Sequence, residues 1–319
     1  MQLSFAPMEG ISSRLYRQTH ARLFGGVEEY FAPFIAPDGS GKFKASALRD
    51  ILPENNAGLR LVPQLLVNRA EPFLRVAGQL QELGYEEVNL NIGCPSGTVV
   101  AKHKGAGMLA DLRSLDDCLA EIFSRCPVAV SIKTRMGVER TEEFAQILEI
   151  YNKYPIKRLI IHARARAGMY KSAVDLPAFL AALPKCRCPV WYNGDIFSPE
   201  DMDKLKAADG LAGVMLGRGA VADPALPRML LGGEALGAGE LKGFHDALLE
   251  RFLAGGLQER VVMARLKELW FYMLYKFPDS KREAKALLKS QRLSDYCFAV
   301  EALFASGKFE SGSFFHQGT

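Results

Sequence analysis

Eight short runs rich in β-branched and aliphatic residues recur along the chain, and this repetition limits the fold more than any other feature. They are LSFAP from Leu3, VEEYFAPF from Val27, LVPQLL from Leu61, EEVNLNI from Glu86, VAVSIKT from Val128, RLIIHA from Arg158, VWYNG from Val190 and GVMLG from Gly213. Between them, stretches such as EPFLRVAGQLQELG from Glu71 and LRSLDDCLAEIFSRC from Leu112 return apolar residues at three and four positions, the helical period. Strands separated by helices pair in parallel, and eight such units make an α/β chain that closes as a (β/α)8 TIM barrel. An open doubly wound sheet ranks second, since it would collect ligand residues at one switch point.

Polar residues instead ring the ends of the runs, where a barrel carries its chemistry. Met8 and Glu9, Gln64, Asn91 and Cys94, Lys133 and Arg135, His162 and Arg164, Asn193 and Asp195, and Arg218 all fall at or just past a run. After about Ala235 the text changes. GGEALGAGELKG reads as a Gly-rich connector, and helical periodicity then continues through LLERFLAGG, ARLKELWFYMLYKF and KREAKALLKSQRL. The division expected is a barrel over 1–235 and an all-helical domain over 236–319, with the polar SGKFESGSFFHQGT ending as a frayed tail.

Composition narrows the function classes. Hydrophobic residues at 49% and charged residues at 24% describe a folded globular chain, because disorder needs fewer apolar residues and more net charge. No basic n-region followed by an apolar stretch opens the sequence, and no apolar run spans a bilayer, so the expected compartment is the cytoplasm, with no membrane and no protein partner implied. Six cysteines without Cys-x-x-Cys spacing argue against a disulfide scaffold and against structural zinc. The net charge of +4 is mild but localised. Between Arg260 and Arg292 nine basic residues, Arg265 and Lys267 among them, face only Glu268, Asp279 and Glu283, which suits a polyanion.

The segment Val88 to Gly107 sets Cys94 in a Gly-Cys-Pro turn after the fourth run, ahead of a loop rich in Gly and Lys. A thiol there can serve as nucleophile, metal ligand or proton donor. Asn89 and Asn91 share one face of their strand, and an amide offers both donors and an acceptor to the imide edge of a flat heterocycle. Lys133 and His162 end their runs and would reach the barrel mouth, where with Gln64 and Asn91 they make a ring of donors suited to a flavin. Lys133 could instead form a Schiff base, as in barrel aldolases. Gly194, Gly217, Arg218 and Gly219 end the last two runs, where barrels commonly bind a phosphate.

These segments together resemble the tRNA-dihydrouridine synthase family over nearly the whole chain. The likeness rests on APMEG at Ala6 to Gly10, Gln64 in VPQLL, NIGCPS at Asn91 to Ser96, SIKTRMG at Ser131 to Gly137, His162 with Arg164, NGDI at Asn193 to Ile196, GRGA at Gly217 to Ala220 and ARLKELWFYM at Ala264 to Met273. The resemblance implies that Pro7, Met8, Gln64, Lys133, His162, Asn193, Gly194, Asp195, Gly217 and Arg218 hold FMN. It also implies that Asn91 and Arg135 meet a uridine and that the helical end, with Arg265 and Lys267, grips tRNA. In that chemistry NADPH reduces FMN, hydride passes to C6 of the uracil, and Cys94 protonates C5. Asn89, Gly97, the HARA after the sixth run and the loop DLPAF depart from the family's usual residues. A flavin barrel acting on a free pyrimidine and a non-catalytic RNA-binding protein are the competing readings.

Overall fold

The computed structural model describes residues 2–38 and 40–315. All nine strand segments pair in parallel: β1 (Gln2–Phe5), β2 (Glu29–Phe31), β3 (Leu61–Val62), β4 (Gln64–Leu65), β5 (Glu87–Ile92), β6 (Ala129–Arg135), β7 (Leu159–His162), β8 (Val190–Asn193) and β9 (Gly213–Leu216). The order runs β3-β2-β1-β9-β8-β7-β6-β5-β4. β3 and β4 are two halves of one run, interrupted at Pro63, which has no N–H to give the ladder. The sheet therefore begins and ends on the same strand and closes into the eight-stranded barrel read from the sequence.

Alternation along the strands stacks the interior in layers. At the N-terminal end lie Glu29, Glu87 and Arg158, all buried. Above them Ala6, Phe31, Val62, Ile160, Trp191 and Met215 form one apolar cluster. At the C-terminal ends the same faces turn polar, with Asn91 in register with Lys133, and His162 with Asn193. The opposite faces meet helices, so Val88, Leu90, Ile92 and Ile132 are fully buried. The expected amphipathic stretches form helices Ala70–Glu82 and Leu112–Arg125, the latter capped by Asp111 through the Ser114 N–H.

The chain divides into two compact units. The first takes the residues up to Pro7, Glu28–Gly194 and Lys204–Met215, and so nearly all of the sheet. The second takes Met8–Val27, Asp195–Asp203 and everything from Leu216, and so does not follow a single boundary at 235. Tyr16 and His20 of its helix Arg14–Leu23, and Phe24 at the C-cap, pack around Phe244 of helix Ala238–Ala254. Helices Glu259–Met273, Lys281–Lys289 and Leu293–Ala305 complete it, with His245, Trp270 and Tyr296 joined by hydrogen bonds inside.

Two expectations are corrected here. Half of the Gly-rich connector is helix, because the Glu240 carboxylate accepts the Gly237 N–H and also pairs with Arg228, which starts the helix at Ala238. The tail is docked as far as it is described: Phe315 packs against Phe197, Tyr272 and Tyr275, and the Glu310 N–H donates to the Lys276 carbonyl. The last four residues, 316–319, also expected to fray, lie outside the described residues.

Candidate active site

The Cys94 turn is held by a chain of side-chain amides whose direction is fixed from one end. Asn91 Oδ1 accepts the backbone N–H groups of Gly93 and Cys94, at 3.0 and 2.9 Å. Its Nδ2 must then point away, and it donates to Gln64 Oε1 at 2.8 Å. Gln64 Nε2 donates in turn to Asn89 Oδ1 at 2.7 Å, and Asn89 Nδ2 to Ser131 Oγ at 2.9 Å. All four side chains are buried, so each amide that lacked a partner would cost stability. Asn89, read as a departure from the family, is a donor that this chain requires at that position.

Lys133 sits on the strand beside Asn91 and donates to Asn193 Oδ1 at 2.8 Å, while Asn193 Nδ2 donates to the Met215 carbonyl at 2.8 Å. Burial and the neighbouring Arg135 charge push the Lys133 ammonium down to about 7, with Cys94 pulling the other way. Arg135 is fully buried and reaches three carbonyls: Nε to Gly93 at 3.0 Å, and Nη1 to Ala165 at 3.0 Å and Met169 at 2.8 Å. It joins the Cys94 turn to the loop after β7. Tyr170, which the sequence did not single out, lies under its guanidinium at 5.2 Å and beside the His162 ring at 5.9 Å. Arg164 Nη1 lies 3.2 Å from His162 Nε2, and since an arginine can only donate, that nitrogen accepts and the ring proton is on Nδ1.

Cys94 is half-buried. Its carbonyl accepts the Ala106 N–H at 3.0 Å, folding the following loop back onto the turn. Gly105 makes that closure at φ +56°, and a Cβ there would lie 2.8 Å from the Cys94 carbonyl oxygen, so no other residue fits.

Of the residues singled out in the sequence, Gln64, Asn91, Cys94, Lys133, Arg135, His162, Asn193 and Gly194 lie in the first unit, and hydrogen bonds, ladder pairing and ring contacts link the first seven at or just past the strand ends. Pro7, at the end of that unit's first segment, is half-buried, and Gly194 follows Asn193 at φ +152°. In the second unit, Met8 closes a turn in which its N–H donates to Ser12 Oγ at 2.8 Å. Asp195 accepts from Arg218 at 2.7 Å, and the Arg218 guanidinium lies over Phe197 at 5.4 Å, just after Gly217. Arg265 lies over the Phe252 ring, and Lys267 donates to the Ser290 carbonyl, so each has a partner inside the helical region. Lys276, counted in the basic stretch, is buried in an ion pair with Asp223 at 2.6 Å and is not part of a charged surface.

The family model described as "Dihydrouridine synthase (Dus)" matches residues 4–234. The chain belongs to the dihydrouridine synthase family. It is 27% identical over 315 residues to tRNA-dihydrouridine synthase B of Pseudomonas aeruginosa, covering 95% of this chain and 93% of that protein. It is likewise 27% identical over 316 residues to tRNA-dihydrouridine(16) synthase of Pseudomonas putida, covering 95% and 96% of the two chains. Among solved structures, a 2-naphthoyl-CoA reductase complex superposes with a TM-score of 0.54 at 12% identity, over 72% of this chain and 50% of that one. Histamine dehydrogenase from Rhizobium superposes with a TM-score of 0.53 at 10% identity, over 84% and 49%. Those two likenesses concern the fold alone. The membership of this chain in the dihydrouridine synthase family rests on the sequence match, which spans all nine strands from Ser4 onward.

Proposed function

We propose that this chain is a tRNA-dihydrouridine synthase that uses FMN and NADPH to reduce the C5–C6 bond of uridine, acting in the cytoplasm. The observation that carries this reading is the amide chain from Ser131 to Asn91, which fixes the Cys94 turn beside Lys133. The donor set fits a flavin: Gln64, Lys133, His162 and Asn193 are amide, ammonium and imidazole groups at adjacent strand ends, which is what the ring nitrogens and carbonyls require. An electron-rich reduced ring would also be matched by Lys133, a cation that no carboxylate among the described residues pairs with. Pro7, Met8, Gly194, Asp195, Gly217 and Arg218 are assigned to the same cofactor by their motifs. When bound, FMN supplies the hydride that goes to C6.

Cys94 then has one task, to deliver a proton to C5 as that carbon gains carbanion character. An acid already held in place does this better than a mobile one, which is what the Asn91 tether provides. The thiolate left behind is favoured by Lys133 and Arg135, both of which feel its charge. The remaining N–H groups of Asn91 and Arg135 are assigned to the uracil carbonyls. A stacked uracil cannot reach a barrel mouth, so the nucleotide has to be extruded. Arg260, Lys281, Arg282, Lys285, Lys289 and Arg292 are exposed and offer phosphate contacts over the helical region, which is the part assigned to tRNA together with Arg265 and Lys267.

The purified protein should absorb near ~450 nm from its flavin. A colourless protein that takes up no FMN would overturn the cofactor. Dihydrouridine should vanish at one or more tRNA positions when the gene is removed and return with the wild-type chain but not with Cys94→Ala. Unchanged tRNA, with reduction of free uridine monophosphate instead, would favour a barrel acting on a free pyrimidine.

A further inference from the structure

On and around the loop that follows Cys94 the structure gathers three cations that the reaction chemistry does not use. Lys102 and Lys104 stand on the loop that folds back onto the Cys94 turn, and Arg69 stands just before helix Ala70–Glu82. The two loops are tied where Asn68 Nδ2 donates to the Lys102 carbonyl at 3.0 Å. Between the two lysines, His103 takes the left-handed conformation at φ 50°, which reverses the chain. The loop is then fixed by the Lys104 N–H donating to the Val99 carbonyl at 3.2 Å and by the Ala106 N–H donating to Cys94.

The three charges repel one another. Burial, then Lys102, then Arg69 hold the Lys104 ammonium below its ordinary range. No carboxylate among the described residues lies in an ion pair with any of the three, although elsewhere in this unit Arg75, Arg125 and Lys153 all have one. A hydrogen-bonded loop that holds like charges together without a counter-ion is a site for an anion from outside. Resting on the proposed reaction, the geometry of that reaction says which anion. A uridine presented to Cys94 brings its own 5′ and 3′ phosphates, and they must lie near the loop wired to that cysteine.

We propose that Arg69, Lys102 and Lys104 form a phosphate-binding site for the RNA backbone flanking the extruded uridine. The catalytic unit thereby holds the substrate independently of the basic helical region. Because the loop is bonded to the Cys94 carbonyl, a phosphate held there rests on the same segment as the acid. The 2′-phosphate of NADPH has the same chemistry, so the test separates the two sources.

The test uses the full-length, FMN-loaded protein and an unmodified tRNA transcript. Binding is titrated across a series of KCl concentrations, and oxidation of NADPH and NADH is followed without RNA. The variants are Arg69→Ala/Lys102→Ala/Lys104→Ala and the single exposed change Lys102→Glu, compared at equal flavin content as a check on folding. The triple variant should bind the transcript about ten-fold more weakly or worse near 0.1 M salt, with a log–log salt slope reduced by about 2, as expected for two or three lost phosphate contacts. Lys102→Glu should shift both quantities in the same direction by a smaller amount. Unchanged affinity and slope in both variants would overturn the proposal, as would a lost preference for NADPH over NADH with RNA binding intact. A flavin-loaded wild type that ignores the transcript would overturn the parent reading as well, and so is distinguishable from failure of the cluster alone.

Discussion

The two ends of one barrel treat buried positive charge in opposite ways. At the N-terminal end Arg158 meets two carboxylates, with Nη1 on Glu29 and Nε and Nη2 on Glu87, and its guanidinium lies 5.4 Å from both the Phe31 and Trp191 rings. Lys157 and Arg60 complete the network from the rim, at 2.9 and 3.7 Å. At the C-terminal end Lys133 meets an amide, and Arg135 meets backbone carbonyls and Tyr170, with no ion pair to a carboxylate for either among the described residues. Arg158 is held above its ordinary range by Glu87 and Glu29 against the effect of burial, whereas Lys133 is pushed down to about 7. A balanced network closes the barrel. An unbalanced one stores a demand for negative charge, which a reduced cofactor or a developing thiolate can meet. The contrast separates the residues that keep the fold from those assigned to the proposed reaction.

The largest expected effect belongs to the unbalanced end. Cys94→Ala should lower the rate of uridine reduction by about 10²–10⁴, the range for loss of a general acid, with the flavin spectrum and the thermal midpoint retained. Retention of full turnover, measured by dihydrouridine release in single-turnover assays, would remove Cys94 from the mechanism.

The balanced end should respond in stability only. Arg158→Met leaves Glu29 and Glu87 buried without their main partner, and should cost about 3–5 kcal/mol in urea unfolding, while turnover per folded molecule stays the same. If activity falls further than the folded fraction does, the two ends are coupled and the contrast fails.

The remaining effects are graded by pH. Burial alone would raise the Glu87 pKa, but Arg158, followed by Ser131 and Lys157, brings it below the ordinary value. Its contribution to stability is therefore present above the unfolded pKa of about 4.3 and lost as pH falls through the lower folded value. Lys133 works in the other direction. Its folded pKa of about 7 lies below the unfolded 10.5, so the unfolded state binds more protons between them and stability rises across that window. The urea midpoints of wild type and Lys133→Met should converge as pH is raised from 6 to 10. A difference that stays constant over that range would mean that Lys133 keeps its charge throughout.

Most of the barrel was legible because the strands repeat with a period of two between helices with a period of 3.6, and eight of them leave few topologies. Cys94, Asn91, Gln64 and Lys133 were legible as strand-end residues. Their linkage was not, because it depends on register: Asn91 opposite Lys133 and Gln64 opposite Asn89 are facts of pairing, not of spacing. Arg69 and Lys102 escaped notice for the same reason, being brought together by the bond from Asn68. Composition misled where tertiary contacts took over. The glycines from 232 to 243 suggested a linker until Glu240 capped the helix, and a polar tail concealed Phe314 and Phe315, which pack beside Lys276 and Tyr275.

The aromatic face of helix Arg14–Leu23 has a consequence in time. Its buried partners come very late in the chain: Tyr16 donates to the Ala220 carbonyl and His20 meets the Pro224 carbonyl, each 204 residues away, and Phe244 follows later still. At ribosomal speeds of ~5–20 residues per second, the helix waits roughly 10–40 s for the segment that covers it. A chain cut at Ala235 would thus not be a self-sufficient barrel. It would leave Tyr16, His20 and Phe24 without Phe244, and should collect in the insoluble fraction while the full chain stays in solution.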